Sequence, residues 1–444
     1  MHLYDTARRE IVPFEPGPLV TMYSCGITPY DSAHLGHAAV YLYFDMLQRR
    51  LRDAGHETKC VRNVTDVDDD ILRKARELGV HYLDLAAEEM ARFDAEMGLL
   101  NLLPVYSEPR ATSAISEILS LIGAALEGGH AYESGGSVYF SVATFPEFGR
   151  ISGYGRTRML ELAAEHGGRP DDPNKRDPLD FVLWQPSLPD EPAWESRWGP
   201  GRPGWHIECS ALVLRELGET IDIHGGGRDL VFPHHECETA QSESVTHKRF
   251  VRLWFHVGLV GLDGTKMSKS LGNLVFVGDL CKEWDPAAVR LALLAHHYRG
   301  DWEWQTGEDM PAAAARLALW SSAPAGDGSA GLAAVRAALD DDLDTPGALA
   351  GIFELVTAAH SAADAGDEEE GGRLARTAAV LAAALGLSLR AADVEVDDES
   401  ARLVADRDEA RRTRDFARAD ALRDELVARG WTVEDTPTGT AVRR

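Results

Sequence analysis

Short apolar runs alternate with helical periodicity in the first part of the chain. Residues 20–24 form an apolar run that breaks at Gly26, and a helical pattern follows from near residue 37 to about 55. The arrangement repeats, with a second apolar run at 59–64 and a second helical pattern at 68–78. Strands that alternate with helices indicate an α/β fold with a doubly wound sheet, in which ligands bind beyond the carboxyl ends of the strands.

The pattern changes between about residues 100 and 200. This part combines helical periodicity with a hairpin-like segment at 135–142 and a loop rich in Gly, Pro and Asp at 167–178. The α/β pattern resumes at 204–210 and 221–227. We therefore predict an insertion between two halves of one nucleotide-binding fold, and the two halves should close on one site.

Beyond about residue 310 the chain becomes rich in Ala, Leu, Asp and Glu, with apolar positions that repeat every 3.6 residues. This periodicity predicts a mainly helical region. An acidic, Gly-containing segment at 366–372 is predicted to be a linker. The α/β fold is therefore expected to end near residue 310.

The composition is that of a globular protein with several domains. The chain has 444 residues and a formal net charge of −27 at pH 7, which argues against DNA and against any sequence-independent binding along a nucleic-acid backbone. This charge does not exclude a shaped RNA that contacts a local basic patch. The sequence has no run of about 18 apolar residues and its start lacks the regions of a signal peptide. We therefore expect no membrane span and a location in the cytoplasm.

Two short segments carry residues suited to polyphosphate. Residues 34–37, His-Leu-Gly-His, lie at the first strand-to-helix junction, where backbone N–H groups and the helix dipole favour phosphate. Residues 266–270, Lys-Met-Ser-Lys-Ser, place two of the chain's few lysines close together, and a lysine is a compact cation that suits phosphate. Each segment alone is short enough to occur by chance. Together they indicate an enzyme that splits ATP to adenylate a carboxylic acid.

A candidate metal-binding set is spread over three distant segments. Cys25 follows the first strand, Cys209 begins the second half, and His234 and Glu238 stand four residues apart, which puts them on one face if that stretch is helical. Two thiolates, an imidazole and a carboxylate suit Zn²⁺, and the few scattered cysteines argue against disulfides. The alternative is that both cysteines are buried small hydrophobic side chains and that the His-His pair caps a helix. Spacing alone leaves both interpretations open.

Six segments occur in order over nearly the whole chain. They are Tyr-Ser-Cys-Gly-Ile-Thr-Pro-Tyr-Asp at 23–31, His-Leu-Gly-His at 34–37, Asn-Val-Thr-Asp at 63–66, Gly-Trp-His-Ile-Glu-Cys-Ser at 204–210, Phe-Pro-His-His-Glu at 232–236 and Lys-Met-Ser-Lys-Ser-Leu-Gly-Asn at 266–273. Together they resemble a cysteinyl-tRNA synthetase. The resemblance implies a class I synthetase fold, that is, an α/β Rossmann catalytic domain with an insertion, followed by a helical C-terminal region. It also implies that Cys25, Cys209, His234 and Glu238 bind one Zn²⁺ per chain.

The resemblance further implies domain boundaries. The expected domains are the first half of the Rossmann catalytic domain at 1–105, a connective insertion at 106–200, the second catalytic half at 201–262, a lysine-loop and stem-contact region at 263–312, a helical anticodon-binding domain of the DALR type at 313–395, and a C-terminal helical segment that contacts tRNA at 396–444.

The family's chemistry implies roles for residues at matching positions. His34 and His37 would contact the ATP phosphates, and Lys266 and Lys269 would stabilise the departing pyrophosphate. ATP would enter with Mg²⁺, and zinc would select L-cysteine because it binds a thiolate far better than a serine hydroxyl. The remaining expected residues of the nucleotide and substrate pocket are Thr28, Asn63, Thr65, Trp205, Gly227 and Asp229, together with His34, His37 and Lys269.

Four aspartates at the end of the second strand have two interpretations. Their spacing looks like a metal cluster, but acidic residues are also favoured at the N-cap and in the first turn of a helix. We expect the second role for Asp66, Asp68, Asp69 and Asp70.

The acceptor of the activated cysteine is specified least by the sequence. Residues 25–31 depart from the usual synthetase pattern and resemble the related mycothiol-pathway ligase, which joins cysteine to a glucosaminyl inositol. Two features favour tRNA(Cys): Glu238 supplies a fourth metal ligand where that ligase is usually not acidic, and residues 401–444 resemble the synthetase C-terminus. We therefore predict a monomeric cysteine–tRNA ligase that acts on tRNA(Cys), L-cysteine and ATP. The alternatives are the small-molecule ligase and a non-catalytic synthetase paralogue, which the intact ATP and metal segments disfavour.

Overall fold

The computed structural model describes residues 1–30, 33–262, 264–267, 272–305, 307–322, 332–387, 398–413, 415–429, 432–436 and 439–443. Its β-strands are β1 His2–Asp5, β2 Glu10–Pro13, β3 Leu19–Ile27, β4 Glu57–Val64, β5 Ala131–Ser134, β6 Ser137–Phe140, β7 Phe181–Pro186, β8 Gly201–Pro203, β9 Ile221–Gly227, β10 Val251–Val257, β11 Val260–Leu262, β12 Thr265–Lys266, β13 Trp302–Trp304, β14 Thr432–Thr436 and β15 Gly439–Arg443. Its α-helices are α1 Leu35–Asp53, α2 Asp69–Leu78, α3 Tyr82–Leu99, α4 Ile115–Glu127, α5 Arg156–Glu165, α6 Trp205–Glu216, α7 Glu236–Thr246, α8 Val277–Glu283, α9 Pro286–Leu294, α10 Asp309–Ser321, α11 Leu332–Asp340, α12 Thr345–Asp364, α13 Glu368–Ala384, α14 Asp398–Arg412 and α15 Phe416–Ala428.

A parallel sheet in the order β10–β9–β3–β4 forms the centre of the molecule. Tyr23 in β3 lies opposite Val61 in β4 and His224 in β9, so the two halves of the chain meet along β3. Helix α1 packs on this sheet, and the ring of its Phe44 meets Phe255 of β10 edge to face at 5.4 Å. The carboxyl ends of the strands therefore gather at one edge, as the alternating pattern predicts.

The insertion forms its own antiparallel sheet in the order β5–β6–β7–β8. Gly135 and Gly136, with φ of 60° and 82°, form the turn of the predicted hairpin, because two left-handed residues match the twist of the strands. Buried side chains of α4 and β6, including Ile118 and Phe140, share a hydrophobic core with Ile207 of α6. The insertion thereby packs beside α6, which carries part of the predicted metal set.

Helices α10–α13 follow the sheet domain, and Arg290 of α9 connects them to it. Arg290 is 1% exposed, and its guanidinium donates to Asp45 Oδ2 at 2.5 Å, to the Leu100 carbonyl at 2.9 Å and to the Leu385 carbonyl at 2.8 Å. Asp45 lies on α1, and Leu385 follows α13. One buried cation therefore joins three separate segments of the chain.

The predicted linker at 366–372 is wrong, because α13 begins at Glu368. Its three glutamates occupy the first turn, where the helix dipole stabilises negative charge. Gly371 lies against α12, and a Cβ there would come within 3.1 Å of the Ala359 carbonyl oxygen. This glycine allows the two helices to pack closely, a role that local composition does not reveal.

The C-terminal tail, residues 398–443, packs mainly on itself. Helices α14 and α15 lie together, and Arg407 and Asp408 of α14 bind Thr440 of the β14–β15 hairpin at 2.6 Å and 2.8 Å. Within the described part of the chain, no helix combines the length and the apolar character that a membrane span requires. The predicted domain boundaries stay predictions.

Candidate active site and metal centre

Main-chain atoms form the floor of the cleft at the carboxyl ends of β3 and β9. A Cβ at Gly26 would come within 1.5 Å of the Asn63 carbonyl oxygen, and one at Gly225 would come within 1.5 Å of the Phe255 carbonyl oxygen. No side chain fits either position. At Gly227 a Cβ would approach Asp229 Oδ1 to 2.5 Å, so this glycine makes room for the Asp229 carboxylate.

The predicted phosphate-binding histidines lie together at the N-terminus of α1. His34 is the N-cap, and its Nδ1 accepts a hydrogen bond from the Gly36 N–H at 3.1 Å. Its ring stacks on His37 with 3.9 Å between ring centroids. The amino end of a 19-residue helix attracts anions, so the two imidazoles lie where a phosphate chain would be stabilised.

The lysine segment approaches the sheet through β12. The backbone of Lys266 pairs with Gly261 of β11, and the Met267 N–H donates to the Val260 carbonyl at 3.2 Å. The side chain of Lys266 and all of Lys269 lie outside the described residues. Their predicted roles at pyrophosphate stay predictions.

The predicted pocket residues Asn63, Thr65 and Thr28 lie together where β4 and β3 end. Asn63 accepts the Gly26 N–H at 2.8 Å and donates to Thr65 Oγ1 at 3.1 Å, while the Thr65 N–H donates to the Ile27 carbonyl at 3.0 Å. Thr28 Oγ1 lies 3.5 Å from Asp68 Oδ2. These contacts hold the loop after β3 against the end of β4. Asp68 is the N-cap of α2, accepting from Asp70 and Ile71, which confirms the expected capping role.

The four predicted metal ligands converge in the buried interior. Cys25 comes from β3, Cys209 from α6, Glu238 from α7 and His234 from the turn before it, and their donor atoms lie within 4.8 Å of one another. His234 Nε2 is 2.7 Å from Glu238 Oε1, yet this nitrogen makes no hydrogen bond of acceptable angle within the described part of the chain. Two side-chain atoms that lie this close without a hydrogen bond between them have the arrangement expected of two ligands of one metal ion.

Burial and neighbouring charges shift the pKa values of these four ligands in different directions. Burial, then the hydrogen bond with Cys209, raise the pKa of Cys25 well above its ordinary range. Burial disfavours the Glu238 carboxylate, but His224 and His234 outweigh burial and lower its pKa to about 2. The hydrogen bond with Cys25 lowers the pKa of Cys209 to about 6 against the effect of burial. Burial opposes a charge on His234, whereas Glu238 and Cys209 raise its pKa to about 10. A positive charge at the centre would replace that proton, and two sulfurs, a nitrogen and an oxygen suit Zn²⁺.

Sequence reasoning missed the histidines that surround this set. His224 Nε2 lies 2.5 Å from Glu238 Oε2, and His235 Nε2 lies 3.2 Å from Cys25 Sγ. With Cys25 and Glu238 these two histidines form a second geometry able to hold a metal. The set of Cys25, Cys209, His234 and Glu238 contains two thiols, which favours zinc. In that case His224 and His235 orient two of its ligands, Glu238 and Cys25. His224 stands on a strand with no motif spacing to the ligands, so only the fold could reveal it.

Trp205 lies directly beside the metal set. Its ring centroid is 4.3 Å from that of His234, and His206 Nδ1 is 3.0 Å from His234 Nδ1. Burial and the neighbouring His234 lower the pKa of His206 well below its ordinary range, which leaves this imidazole neutral. The expected contact of Trp205 with the substrate ammonium stays a prediction.

Comparison with known proteins extends this description. The family described as "tRNA synthetases class I (C) catalytic domain" matches residues 11–314, and the family described as "DALR domain" matches 334–390. The chain is 49% identical over 395 residues to the L-cysteine:1D-myo-inositol 2-amino-2-deoxy-alpha-D-glucopyranoside ligase of Thermomonospora curvata, across 88% of this chain and 94% of that relative. The ligase of the same name from Streptosporangium roseum is 47% identical, across 88% of this chain and 96% of that relative. In structure, methionyl-tRNA synthetase of Mycobacterium tuberculosis bound by methionyl-adenylate matches with a TM-score of 0.61 at 16% identity, over 90% of this chain and 96% of that chain.

These relatives overturn the prediction of a cysteine–tRNA ligase and of tRNA(Cys) as partner, because they are named for an aminosugar acceptor and span most of both chains. Residues 25–31, in the first of the six segments, already resembled the aminosugar ligase, but the prediction gave more weight to Glu238 and to the tail. Glu238 does lie in the metal set, but a metal ligand has no bearing on the acceptor. The predicted fold is confirmed. The chain belongs to the class I tRNA synthetase (C) family, and it is an ATP-dependent ligase of that family.

Proposed function

We propose that this protein activates L-cysteine with ATP and joins it to the amine of a glucosaminyl inositol. The buried Cys25, Cys209, His234 and Glu238 set beside the His34–His37 helix end carries the cysteine part of the proposal. The acceptor part is supported by the names of relatives that cover most of the chain.

Selection of cysteine would depend on the metal set. Zinc held by Cys25, Cys209, His234 and Glu238 would supply a Lewis-acidic position that binds the thiolate of the substrate and discriminates against a hydroxyl. The two sulfurs and the carboxylate would compensate the charge of the ion. His224 contacts Glu238 and His235 contacts Cys25, and these contacts orient the two ligands. The ring of Trp205 packs against His234 on one side of the site.

Activation would occur at the end of α1. An oxygen of the cysteine carboxylate attacks the α-phosphorus of ATP, and the bond to the β-phosphate breaks so that pyrophosphate departs with the electron pair. His34 and His37 face the phosphates together with the helix dipole, and Lys266 and Lys269 stabilise the leaving charge, with Mg²⁺ on the nucleotide. Asp229 holds the ribose hydroxyls in the space that Gly227 leaves open.

Transfer would follow on the same face of the sheet. The neutral amine of the acceptor attacks the acyl carbon, a C–N bond forms, and the C–O bond to AMP breaks with its electron pair on the phosphate oxygen. The nitrogen, which is positively charged after the attack, then loses one of its two protons to water, and a neutral amide remains. Thr28, Asn63 and Thr65, which fix the loop after β3, would keep the adenylate in place during this step.

Two assays on the purified protein test the proposal. Cysteine-dependent exchange of labelled pyrophosphate into ATP measures activation, and formation of cysteinyl-glucosaminyl-inositol with release of AMP measures transfer. We expect both activities, with no exchange supported by serine. Absence of exchange would disprove cysteine activation, whereas exchange without transfer to the aminosugar would disprove the acceptor.

A further inference from the structure

Strand β13 lies beside the hairpin that leads into the lysine segment. It pairs in parallel with β11, whose antiparallel partner β12 ends at Lys266. The side chain of Trp304 is 1% exposed, and the ring of Trp302 lies parallel to that of His296 with 3.8 Å between ring centroids. Two packed tryptophans therefore fix β13, which gives the hairpin of β11 and β12 a rigid neighbour.

The carboxylate of Glu303 in β13 approaches this hairpin at two points. Its Oε2 accepts the backbone N–H of Gly264, in the turn between β11 and β12, at 3.0 Å. Its Oε1 lies next to Gly261 of β11, where a Cβ would come within 2.2 Å of this oxygen. Gly261 pairs with Lys266, which begins the lysine segment. Glu303 therefore lies against both the turn and one strand of the hairpin, immediately before that segment.

Asp301, just before β13, joins the ends of β9 and β10. Its Oδ1 accepts the Leu259 N–H at 2.8 Å and lies 3.0 Å from Arg228 Nη1. Arg228 also donates to the Arg299 carbonyl. Leu259 follows β10, and Arg228 follows β9 in the turn that carries Asp229. The side chain of Asp301 therefore connects the expected ribose-binding turn to the chain that enters β11.

The side chains that make these contacts are exposed, whereas the main chain beneath them is tightly packed. The Gly258 N–H donates to the Tyr298 carbonyl at 2.6 Å, and a Cβ at Gly258 would come within 2.0 Å of the Gly300 carbonyl oxygen. The side chain of Asp301 is 57% exposed and that of Arg228 is 39% exposed, and an exposed ion pair contributes little to stability. We therefore expect these contacts to affect the position of the loops more than the stability of the fold.

We propose that Asp301 and Glu303 are positioning residues for the adenylation of cysteine. This inference rests on the proposed function, in which Asp229 binds the ribose of ATP and Lys266 and Lys269 stabilise the departing pyrophosphate. Asp301 fixes the ribose-binding turn, and Glu303 fixes the lysine hairpin. β13 therefore sets the spacing between the two segments that hold opposite ends of the nucleotide. A misplacement of about 1 Å at a reacting group costs about 10²-fold in rate, so this support has a kinetic effect.

The two residues should affect different kinetic constants of pyrophosphate exchange. The lysines act on charge that develops only as pyrophosphate departs, so Glu303→Ala should lower kcat about tenfold, or about 1.4 kcal/mol, with the ATP KM nearly unchanged. The ribose is bound equally in the ground state and in the transition state, so Asp301→Ala should raise the ATP KM about fivefold with kcat nearly unchanged. Neither variant should change the cysteine KM, because cysteine is selected at the metal set.

Gly261 offers a test that leaves both carboxylates in place. The nearest atoms to a Cβ at this position belong to the Glu303 carboxylate, which is the flexible end of a side chain, so Gly261→Ala should displace it from the turn. We expect Gly261→Ala to lower kcat as Glu303→Ala does. The double variant should be no slower than either single variant, because both changes remove the same contact.

A conservative variant and a distant carboxylate provide the controls. Glu303→Gln keeps an oxygen that accepts the Gly264 N–H, so it should retain the wild-type kcat. Asp367→Ala removes an exposed carboxylate that also accepts one backbone N–H, that of Glu370 at 3.1 Å, but at the start of α13. It should match wild type in kcat and in both KM values. Thermal unfolding of every variant measures the accompanying change in stability.

Several results would contradict the assignment. A wild-type kcat in Glu303→Ala, or a wild-type ATP KM in Asp301→Ala, would refute the role of that residue. Equal changes in kcat and in both KM values would indicate general disruption of the fold and would overturn the inference. Additive losses in the double variant would show that Gly261 acts without Glu303 and would refute the contact with the hairpin.

The inference and the proposed function can fail separately. If wild-type protein exchanges pyrophosphate and both alanine variants match it, the positioning residues are wrong and the proposed function stands. Wild-type protein without cysteine-dependent exchange would refute both.

Discussion

Replacing Arg290 by methionine should loosen the helical region from the sheet domain. The guanidinium is buried and bonds to Asp45, Leu100 and Leu385, which belong to three separate segments. Methionine fills similar volume but removes these donors, and removal of one partner from a buried ion pair costs about 3–5 kcal/mol. Arg49 still donates to the same Asp45 oxygen at 2.8 Å, so the carboxylate keeps one cation. We therefore expect Arg290→Met to lower the free energy of unfolding by about 3 kcal/mol, near the lower limit of that range.

Urea unfolding followed by far-UV circular dichroism measures this loss. The matched control is Arg336→Met, because Arg336 also joins the helical region to α1, through Asp53, but its side chain is 42% exposed. An exposed pair contributes less than about 1 kcal/mol, so the control should unfold near the wild-type midpoint. The double variant Asp45→Asn with Arg290→Met removes the stranded charge and should recover about 1–2 kcal/mol of the loss.

Two results would refute this account of Arg290. An Arg290→Met midpoint equal to that of Arg336→Met would mean that the buried pair stabilises no more than a surface pair. A double variant no more stable than the single one would mean that the cost does not come from the negative charge of Asp45, which has lost one of its two cations. Hydrogen exchange gives an independent check, since amides at the end of α13 should exchange faster in Arg290→Met than in wild type.

Four further predictions concern the site and the tail. Cys209→Ala should abolish bound zinc and sharply raise the cysteine KM; full zinc occupancy by metal analysis would rule out Cys209 as a ligand. Lys269→Ala should slow pyrophosphate exchange by removing charge stabilisation at the leaving group, and an exchange rate equal to that of wild type would refute that role. Burial, then Asp70, raise the pKa of Asp68 to about 6, above the value of about 3.9 in an unfolded chain. The charge of Asp68 therefore destabilises the fold above pH 6 and has little effect below pH 4. In urea unfolding, Asp68→Asn should stabilise the protein by roughly 1–2 kcal/mol more at pH 7.5 than at pH 4. Removal of residues 398–444 should leave transfer to the aminosugar intact, because the tail packs mainly on itself and both family matches end before it; lost transfer would contradict this.

Local signals in the sequence were enough to find strands and helices of the central sheet. The run at 20–24 lies within β3, and the helical pattern from near residue 37 to about 55 corresponds to α1, Leu35–Asp53. The metal set was predicted from the family resemblance, because spacing alone left it open. Cys25 lies near the end of β3, but Cys209 lies on α6, which follows β8 of the antiparallel sheet, so the convergence of the set depends on how the insertion packs.

Long-range packing explains what the sequence could not reveal. His224 has no motif spacing to the metal ligands, and its position depends on how β9 pairs with β3. The segment at 366–372 was predicted to be a linker, whereas its Gly371 allows α13 to approach α12. The acceptor was predicted wrongly because tail similarity and a metal ligand were taken as evidence for tRNA(Cys), whereas relatives that cover most of the chain are named for an aminosugar acceptor.

The glycine floor of the cleft limits how this enzyme can change over evolutionary time. At Gly26 and Gly225 any side chain would collide with the main chain of a neighbouring strand, so no single substitution at these two positions can remodel the surface that they form. Positions that already carry side chains around the ends of the strands do not have this constraint. Under the proposed function, a lineage can therefore change the acceptor through substitutions outside the floor while the floor itself is inherited without alteration.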